Sequence, residues 1–290
     1  MRFELSGSLI RPSPVVLTLT FSQQVNIAQY ISAGHTHFDV ICIGAGGGMG
    51  GGINSENVGT LIRSTGGAGG GGGFHRVQGL LSALPPTCPV VIGSGGSLGV
   101  EDQTNPGLTT DGGDGGYSSF NDTTCLASGG KGGHRVQVNS FTATSLADGG
   151  DGGLGGNNVP GGGGKGGVAG TPSATGPGVA GKDGLDGFYN GFIGSGGGGG
   201  AGGVSKYGAV TCNAATAGSR GSYSPGDLTV YGPGSPASID PSTNAANGMP
   251  GRAGGAKASP INGLPNVYGS SHGGRNAGDP GVVVVRFYAL

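Results

Sequence analysis

The stretch from Asp148 to Gly156 reads Asp-Gly-Gly-Asp-Gly-Gly-Leu-Gly-Gly, with glycine at two positions of every three. Glycine costs a helix about 1 kcal/mol per residue against alanine and weakens a strand for a related reason, so this pattern opposes both. Period three is the period of the polyproline II helix, which makes no internal hydrogen bonds and turns every backbone N–H and C=O outward. With glycine on two of its three edges, such a helix admits other backbones at close range while the third edge carries the side chains. The expected centre of the fold is therefore a bundle of glycine-rich, polyglycine-II or polyproline-II-like segments joined by their backbones. Asp111 to Tyr117 and Ser128 to His134 repeat the pattern, the second with a basic residue at its centre.

The chain has 74 glycines and 17 prolines in 290 residues, around the roughly 25–30% at which an aperiodic chain would be low-complexity or disordered. Periodicity argues the other way, and so does charge. Only 10% of residues are charged, whereas disordered chains are rich in charge. A formal net charge of −1 supplies no field for gathering nucleic acid or anionic lipid, so neither is expected as a partner. No apolar run approaches the roughly 18 residues that span a membrane, and the first residues lack the apolar run of a signal peptide. Folding in the cytoplasm where the chain is made is the expectation. With no tryptophan and 6% aromatic residues, backbone hydrogen bonds should carry an unusual share of the cohesion.

The ends of the chain read as β. Phe3–Ser6 and Val15–Phe21 show apolar alternation, the latter with Val15, Leu17, Leu19 and Phe21 on one face. Phe38–Ile43 is apolar almost throughout, the signature of a strand buried on both faces, and Val282–Tyr288 is the strongest strand signal in the sequence. The two should lie together although about 240 residues separate them, since the termini of a domain often meet. Between them, Gly79–Leu84 suggests a helical turn and Pro89–Ile92 a short buried strand. The four residues His75-Arg76-Val77-Gln78 recur as His134-Arg135-Val136-Gln137, each directly after a glycine run, as if one junction were built twice. The predicted fold is mainly β plus irregular, with little or no α-helix. Residues 1–43 form a small β module, 44–281 an inserted glycine-rich bundle with loops, and 282–290 a strand that returns to the module.

Chemistry-bearing patterns are sparse. Gly46, Gly48 and Gly51 follow a strand at the Gly-x-Gly-x-x-Gly spacing, but no helix is expected after them, and a dinucleotide site requires one. Gly161–Gly166, with Lys165, lacks the hydroxyl residue of a phosphate loop. No cofactor is expected. His35, His37 and Asp39 would share one face of an extended strand and so form the best metal candidate, set against a reading as solvated histidines at a strand entry with no fourth ligand, which is favoured. Asp111, Asp114, Asp148 and Asp151 lack the apolar position of calcium-binding glycine-aspartate repeats; they read instead as solvated edges or as caps for neighbouring backbone N–H groups. Cys42, Cys88, Cys125 and Cys212 are too widely spaced for a zinc or redox motif and are expected to be free and mostly buried. Phe188, Tyr189, Phe192, Tyr207, Tyr223 and Tyr231 sit in or beside loops and are the candidate surface contacts, with a role as plugs for the ends of the glycine bundle as the alternative.

Three tracts carry a family resemblance: the buried strand running into Gly-Ala-Gly-Gly-Gly (Phe38 to Gly48), Gly196 to Val204, and the terminal Pro-Gly-Val-Val-Val-Val-Arg-Phe-Tyr (Pro280 to Tyr288). Val77 to Pro85 and Gly254 to Ala258 add to it. Over residues 38 to 288 the chain resembles the glycine-rich minor tail proteins of siphophages that infect actinobacteria. The resemblance implies a non-enzymatic virion component at the tail tip or its fibres, made in the host cytoplasm and assembled with other tail proteins. A homotrimer is the expected oligomer, because closed symmetry would cover the exposed backbone edges of a glycine bundle. A host cell-surface glycan or envelope component is the expected contact of its loops. The alternative is a secreted glycine-rich repeat protein of a mycobacterial-type cell envelope, which shares the Gly-Gly-X runs but has a helical N-terminal domain not evident here.

Overall fold

The computed structural model describes residues 11–48, 50–51, 69–70, 72–100, 110–135, 278 and 280–290, together with the strand backbones at 53–57, 60–64, 137–140, 143–146, 189–190, 194–195, 205–207 and 210–211. The strands among these are β1 Val15–Leu19, β2 Gln23–Asn26, β3 His37–Ile43, β4 Ile53–Asn57, β5 Thr60–Ser64, β6 Phe74–Leu80, β7 Thr87–Val91 and β8 Ser118–Phe120. They continue as β9 Cys125–Ala127, β10 Gln137–Ser140, β11 Ala143–Leu146, β12 Tyr189–Asn190, β13 Gly194–Ser195, β14 Ser205–Tyr207, β15 Val210–Thr211 and β16 Val282–Tyr288. The chain is mainly β: one short helix, α1 Ile27–Ser32, and a 3-10 turn at Leu81–Ala83 are the helical elements among the described residues.

The strand at the end of the chain lies inside the larger sheet. β16 is paired antiparallel to β3 over its whole length, from Val282 opposite Ile43 to Tyr288 opposite His37. β1 flanks β16 and β6 flanks β3, giving the order β1-β16-β3-β6-β13-β12. The two apolar runs expected to meet therefore do so as adjacent interior strands of a six-stranded sheet. A second sheet, β2-β7-β8-β9, packs against it. Phe38, Val40, Cys42, Val283, Val285 and Phe287 face this second sheet and join Cys88, Val90, Phe120, Cys125 and Ala127 in one buried cluster. On the opposite face Ile41, Ile43, Val282 and Val284 are buried as well, so the unbroken apolar run of β3 does mark a strand covered on both sides.

The N-terminal part differs from the sequence expectation in two places. β1 ends at Leu19, and Phe21 lies beyond it with 65% of its surface exposed. The next residues build α1, whose end carries a Schellman turn: Gly34 N–H donates to Ile31 O and His35 N–H to Tyr30 O, with Gly34 at φ +91°. Ile27 is fully buried and Tyr30 stacks on Phe287, with ring centroids 3.9 Å apart, so two apolar contacts hold this short helix onto the sandwich. The expected strand at Phe3–Ser6 lies outside the described residues.

Beyond the sandwich, six strands run straight into glycine segments. β3 continues into 44–51, β7 into 93–100 and β9 into 128–135, while 69–73 leads into β6, 110–117 into β8 and 278–281 into β16. Glycine segments thus leave the sandwich at the end of one strand and return to it at the start of another. Segment 44–51 sits in the middle of the others, and its bonding has a period of three. Gly44 and Gly47 donate to Gly73 and Gly70, whereas Ala45, Gly48 and Gly51 donate to Gly116, Gly113 and Thr110, all at 2.8 to 3.0 Å. Its carbonyls accept in turn: Ala45 and Gly48 from Gly130 and Gly133, Gly46 from Gly96. A flat ribbon bonds neighbours on two sides only, so bonds to four surrounding segments require the three-residue turn of polyproline II. The tracts Asp111–Tyr117 and Ser128–His134 belong to this bundle as expected; Asp148–Gly156 lies outside the described residues.

Glycine is needed here for closeness. A β-carbon on Gly44, Gly47 or Gly50 would lie 2.0 Å from the carbonyl oxygen of Ser128, Lys131 or His134 respectively, three contacts in step along two parallel segments. In the sandwich, side chains hold two sheets about 10 Å apart. Where the side chains stop, the continuing backbones of both sheets close onto one another and exchange hydrogen bonds across the former gap.

Candidate functional site

The outward edges of the bundle carry the side chains that period three leaves over. Asp111, Asp114 and Tyr117 are exposed on one segment, Lys131 and His134 on its antiparallel neighbour, and Ser94, Ser97 and Val100 on the segment at the other side. The aspartates cap the neighbouring backbone. Asp114 accepts the Gly132 N–H at 2.9 Å and Asp111 the Arg135 N–H at 2.8 Å, so each third residue of one segment satisfies each third amide of the next. Lys131 Nζ also reaches Asp114 at 2.7 Å. Burial alone would raise the Asp114 carboxyl, but the Lys131 ammonium and the Gly132 N–H outweigh it and hold the group below its usual range. His134 Nδ1 lies 3.8 Å from Asp111. The Asp-Gly-Gly repeat is therefore a capping device for a glycine bundle, the reading favoured for Asp111 and Asp114; Asp148 and Asp151 lie outside the described residues.

His35, His37 and Asp39 do not converge. His35 belongs to the exit of α1 rather than to the strand: it is buried, with Nδ1 3.2 Å from Tyr30 O and Nε2 3.1 Å from Ser13 O. His37 stacks on Tyr288. Asp39 is buried on β3 and engaged by β6, accepting from Arg76 Nε at 2.8 Å, from Arg76 Nη2 and from Gln78 Nε2 at 2.9 Å. A buried carboxylate met by a forked guanidinium and an amide is a satisfied structural charge. Among the described residues no group of three His, Cys, Asp or Glu side chains is placed to hold a metal ion.

The Gly46, Gly48 and Gly51 spacing has no room for a phosphate. Gly48 and Gly51 spend their N–H groups on Gly113 and Thr110, and strand β4 follows where a dinucleotide site needs a helix. Gly161–Gly166 lies outside the described residues. The two His-Arg-Val-Gln copies do follow glycine segments, but they do different work. In the first, Arg76 and Gln78 hold Asp39, and His75 faces the core; in the second, His134 and Arg135 sit on the outer edge beside Asp111.

One cluster was not foreseen from the sequence. Cys42, Cys88 and Cys125 are free and buried, as expected; Cys212 lies outside the described residues. Cys42 and Cys125 adjoin each other. Cys42 Sγ donates to Cys125 O at 3.3 Å, and Cys125 Sγ lies 3.3 Å from His75 O. His75 Nδ1 is 3.1 Å from Leu126 O. Burial pushes the Cys125 thiol up, yet hydrogen bonds from Cys42 and His75 and the His75 charge bring it down to about 7. Burial acts to lower the His75 imidazole, and its interaction with Cys125 and with the Leu126 carbonyl raises it instead. The Cys42 thiol is pushed well up by burial and by Cys125, and Cys88 rises to about 11 by burial. In the sequence, 83 residues separate the two thiols, and only the packing of β9, in the second sheet, against β3 and β6 brings them together.

Of the candidate surface contacts, Tyr189 falls in strand β12 and Tyr207 in β14; Phe188, Phe192, Tyr223 and Tyr231 lie outside the described residues. An exposed aromatic ring that the sequence reading passed over is Tyr117, 52% exposed beside Asp114 on the bundle edge. No described helix is long and apolar enough to cross a membrane. No curated protein matches the chain in sequence. A family model described as a glycine-rich domain matches residues 22–288, which takes in β2 through β16 and the whole bundle, and the chain belongs to that glycine-rich domain family.

Proposed function

We propose that this chain is a structural minor tail protein of a phage virion, placed at the tail tip or its fibres and acting without catalysis. The observation that carries the reading is the union of two of the tracts on which the resemblance rests. Phe38–Gly48 and Pro280–Tyr288 are neighbouring strands that leave the sheet together and enter one backbone-bonded glycine bundle. A bundle bonded in several directions across its axis is stiff for its mass, which suits a part that transmits force or presents loops at a distance. Other tail proteins are its partners, and three copies of the chain would cover the backbone edges of the glycine bundle. The loops and their aromatic residues would then meet a host cell-surface glycan or envelope component.

A mass-spectrometric inventory of purified virions, with antibody labelling in electron micrographs, tests this. Peptides of the chain in the particle and label at the distal tail are expected. Recovery from the host cell envelope with none in the particle would favour the secreted envelope protein, and a hydrolase activity on envelope polymers would overturn the non-enzymatic role. Light scattering of the isolated protein is expected to give three chains, and a stable monomer would remove the trimer.

A further inference from the structure

We propose that Cys42 and Cys125 are a redox pair that hydrogen peroxide converts into a disulfide between the two sheets, stapling β3 to β9 where both enter the glycine bundle. This rests on the sandwich itself and stands whether or not the chain is a tail protein.

Three features of the geometry support it. β3 and β9 have Cα atoms within 8 Å of each other, closer than the usual separation of packed sheets, because β9 meets β3 and β6 through Cys125 and Ala127 rather than through large side chains. The two thiols meet there: Cys42 Sγ donates to the carbonyl of Cys125 at 3.3 Å, and Cys125 Sγ lies 4.0 Å from Val40 O, two residues before Cys42 on β3. His75 on β6 completes the group, with a buried imidazole that hydrogen-bonds Cys125 and so gives a thiolate a cationic partner. Cys88, buried by itself on β7, is inert by the same reasoning.

The chemistry divides between the two cysteines. The Cys125 thiolate, its proton held by His75, attacks one oxygen of the peroxide. The O–O bond breaks, Cys125 becomes a sulfenic acid, and the departing hydroxide takes the proton and leaves as water. Cys42 sulfur then attacks the Cys125 sulfur, the S–O bond breaks, and hydroxide leaves with the Cys42 proton as a second water. Two thiols have lost two electrons and one peroxide has gained them. Both sulfurs lie in side chains with no exposed surface, so the oxidant has to be small and uncharged. Glutathione disulfide, a bulky and charged molecule that must bring its S–S bond to the thiolate, is excluded until the sandwich opens.

The test treats the folded full-length protein with hydrogen peroxide or with glutathione disulfide, removes the oxidant, unfolds the chain in excess N-ethylmaleimide and maps the peptides without reduction. Peroxide is expected to give a Cys42–Cys125 cross-linked peptide that dithiothreitol reverses, with Cys88 still alkylated, and glutathione disulfide to give at most a tenth as much. Cys42→Ala should leave a sulfenic acid at Cys125 that dimedone traps, and His75→Gln should slow cross-linking about tenfold at pH 7 while leaving its product the same. Cys42 and Cys125 remaining fully alkylated after a peroxide dose that oxidises exposed methionine, or a cross-link to Cys88 or Cys212 instead, would overturn the proposal.

Discussion

Gly47 passes so close to Lys131 that a β-carbon on it would lie 2.0 Å from the Lys131 carbonyl oxygen and 2.5 Å from the carbonyl carbon. The obstacle is backbone that is itself bonded to Gly70, so it cannot move aside cheaply. Gly47→Ala is expected to lower stability by about 3 kcal/mol, read from the midpoint and slope of urea unfolding. Gly34→Ala is the control: its β-carbon would meet only Pro12 at 3.7 Å, and its φ of +91° leaves a backbone strain of about 1 kcal/mol. Equal losses at the two positions would mean that steric closeness does not set the glycine requirement of the bundle.

Asp114 should make the bundle acid-sensitive. Its folded value is depressed, so its contribution is complete above the unfolded carboxylate value of 3.8 and is lost as pH falls through the lower folded value. Asp114→Asn retains an acceptor for Gly132 but no charge for Lys131. The variant is expected to be less stable than the native chain at pH 6, with the gap closing below pH 3.8. Denaturant unfolding across that range checks it, and a gap that widened in acid would contradict the assignment.

Asp39→Ala removes the acceptor of three side-chain hydrogen bonds from β6 and leaves the Arg76 guanidinium, 14% exposed, without its carboxylate. A loss of about 3 kcal/mol is expected. Asp39→Ala combined with Arg76→Met should recover much of it, because the buried charge leaves with its partner. A double variant no better than the single one would show that Asp39 acts elsewhere.

The parts of this fold that were legible in the sequence are those set by short-range pattern. Val282–Tyr288 and Phe38–Ile43 declare themselves by unbroken β-branched and apolar runs, and the glycine segments by period three, because both signals follow from local backbone geometry. The Asp-Gly-Gly repeats could be read as caps for the same reason. Helix α1 was missed because six residues give too few turns for a periodic signal, and its clearest marker, Gly34, is one glycine among 74. His35 was misplaced with it, being assigned to the strand that begins at His37. The Asp39–Arg76 and Cys42–Cys125 contacts were out of reach, since each depends on which strands pair and which sheets face each other, and no local pattern encodes that.

Amide hydrogen exchange along segment 44–51 tests the central claim, that glycine segments form an ordered bundle bonded at intervals of three. The amides of Gly44 and Gly47, held by Gly73 and Gly70, and those of Ala45, Gly48 and Gly51, held by Gly116, Gly113 and Thr110, are expected to exchange as slowly as the amides of β16, which is paired on both sides in the sheet. Exchange of these five amides at the rate of an unfolded chain, with β16 still protected, would contradict it.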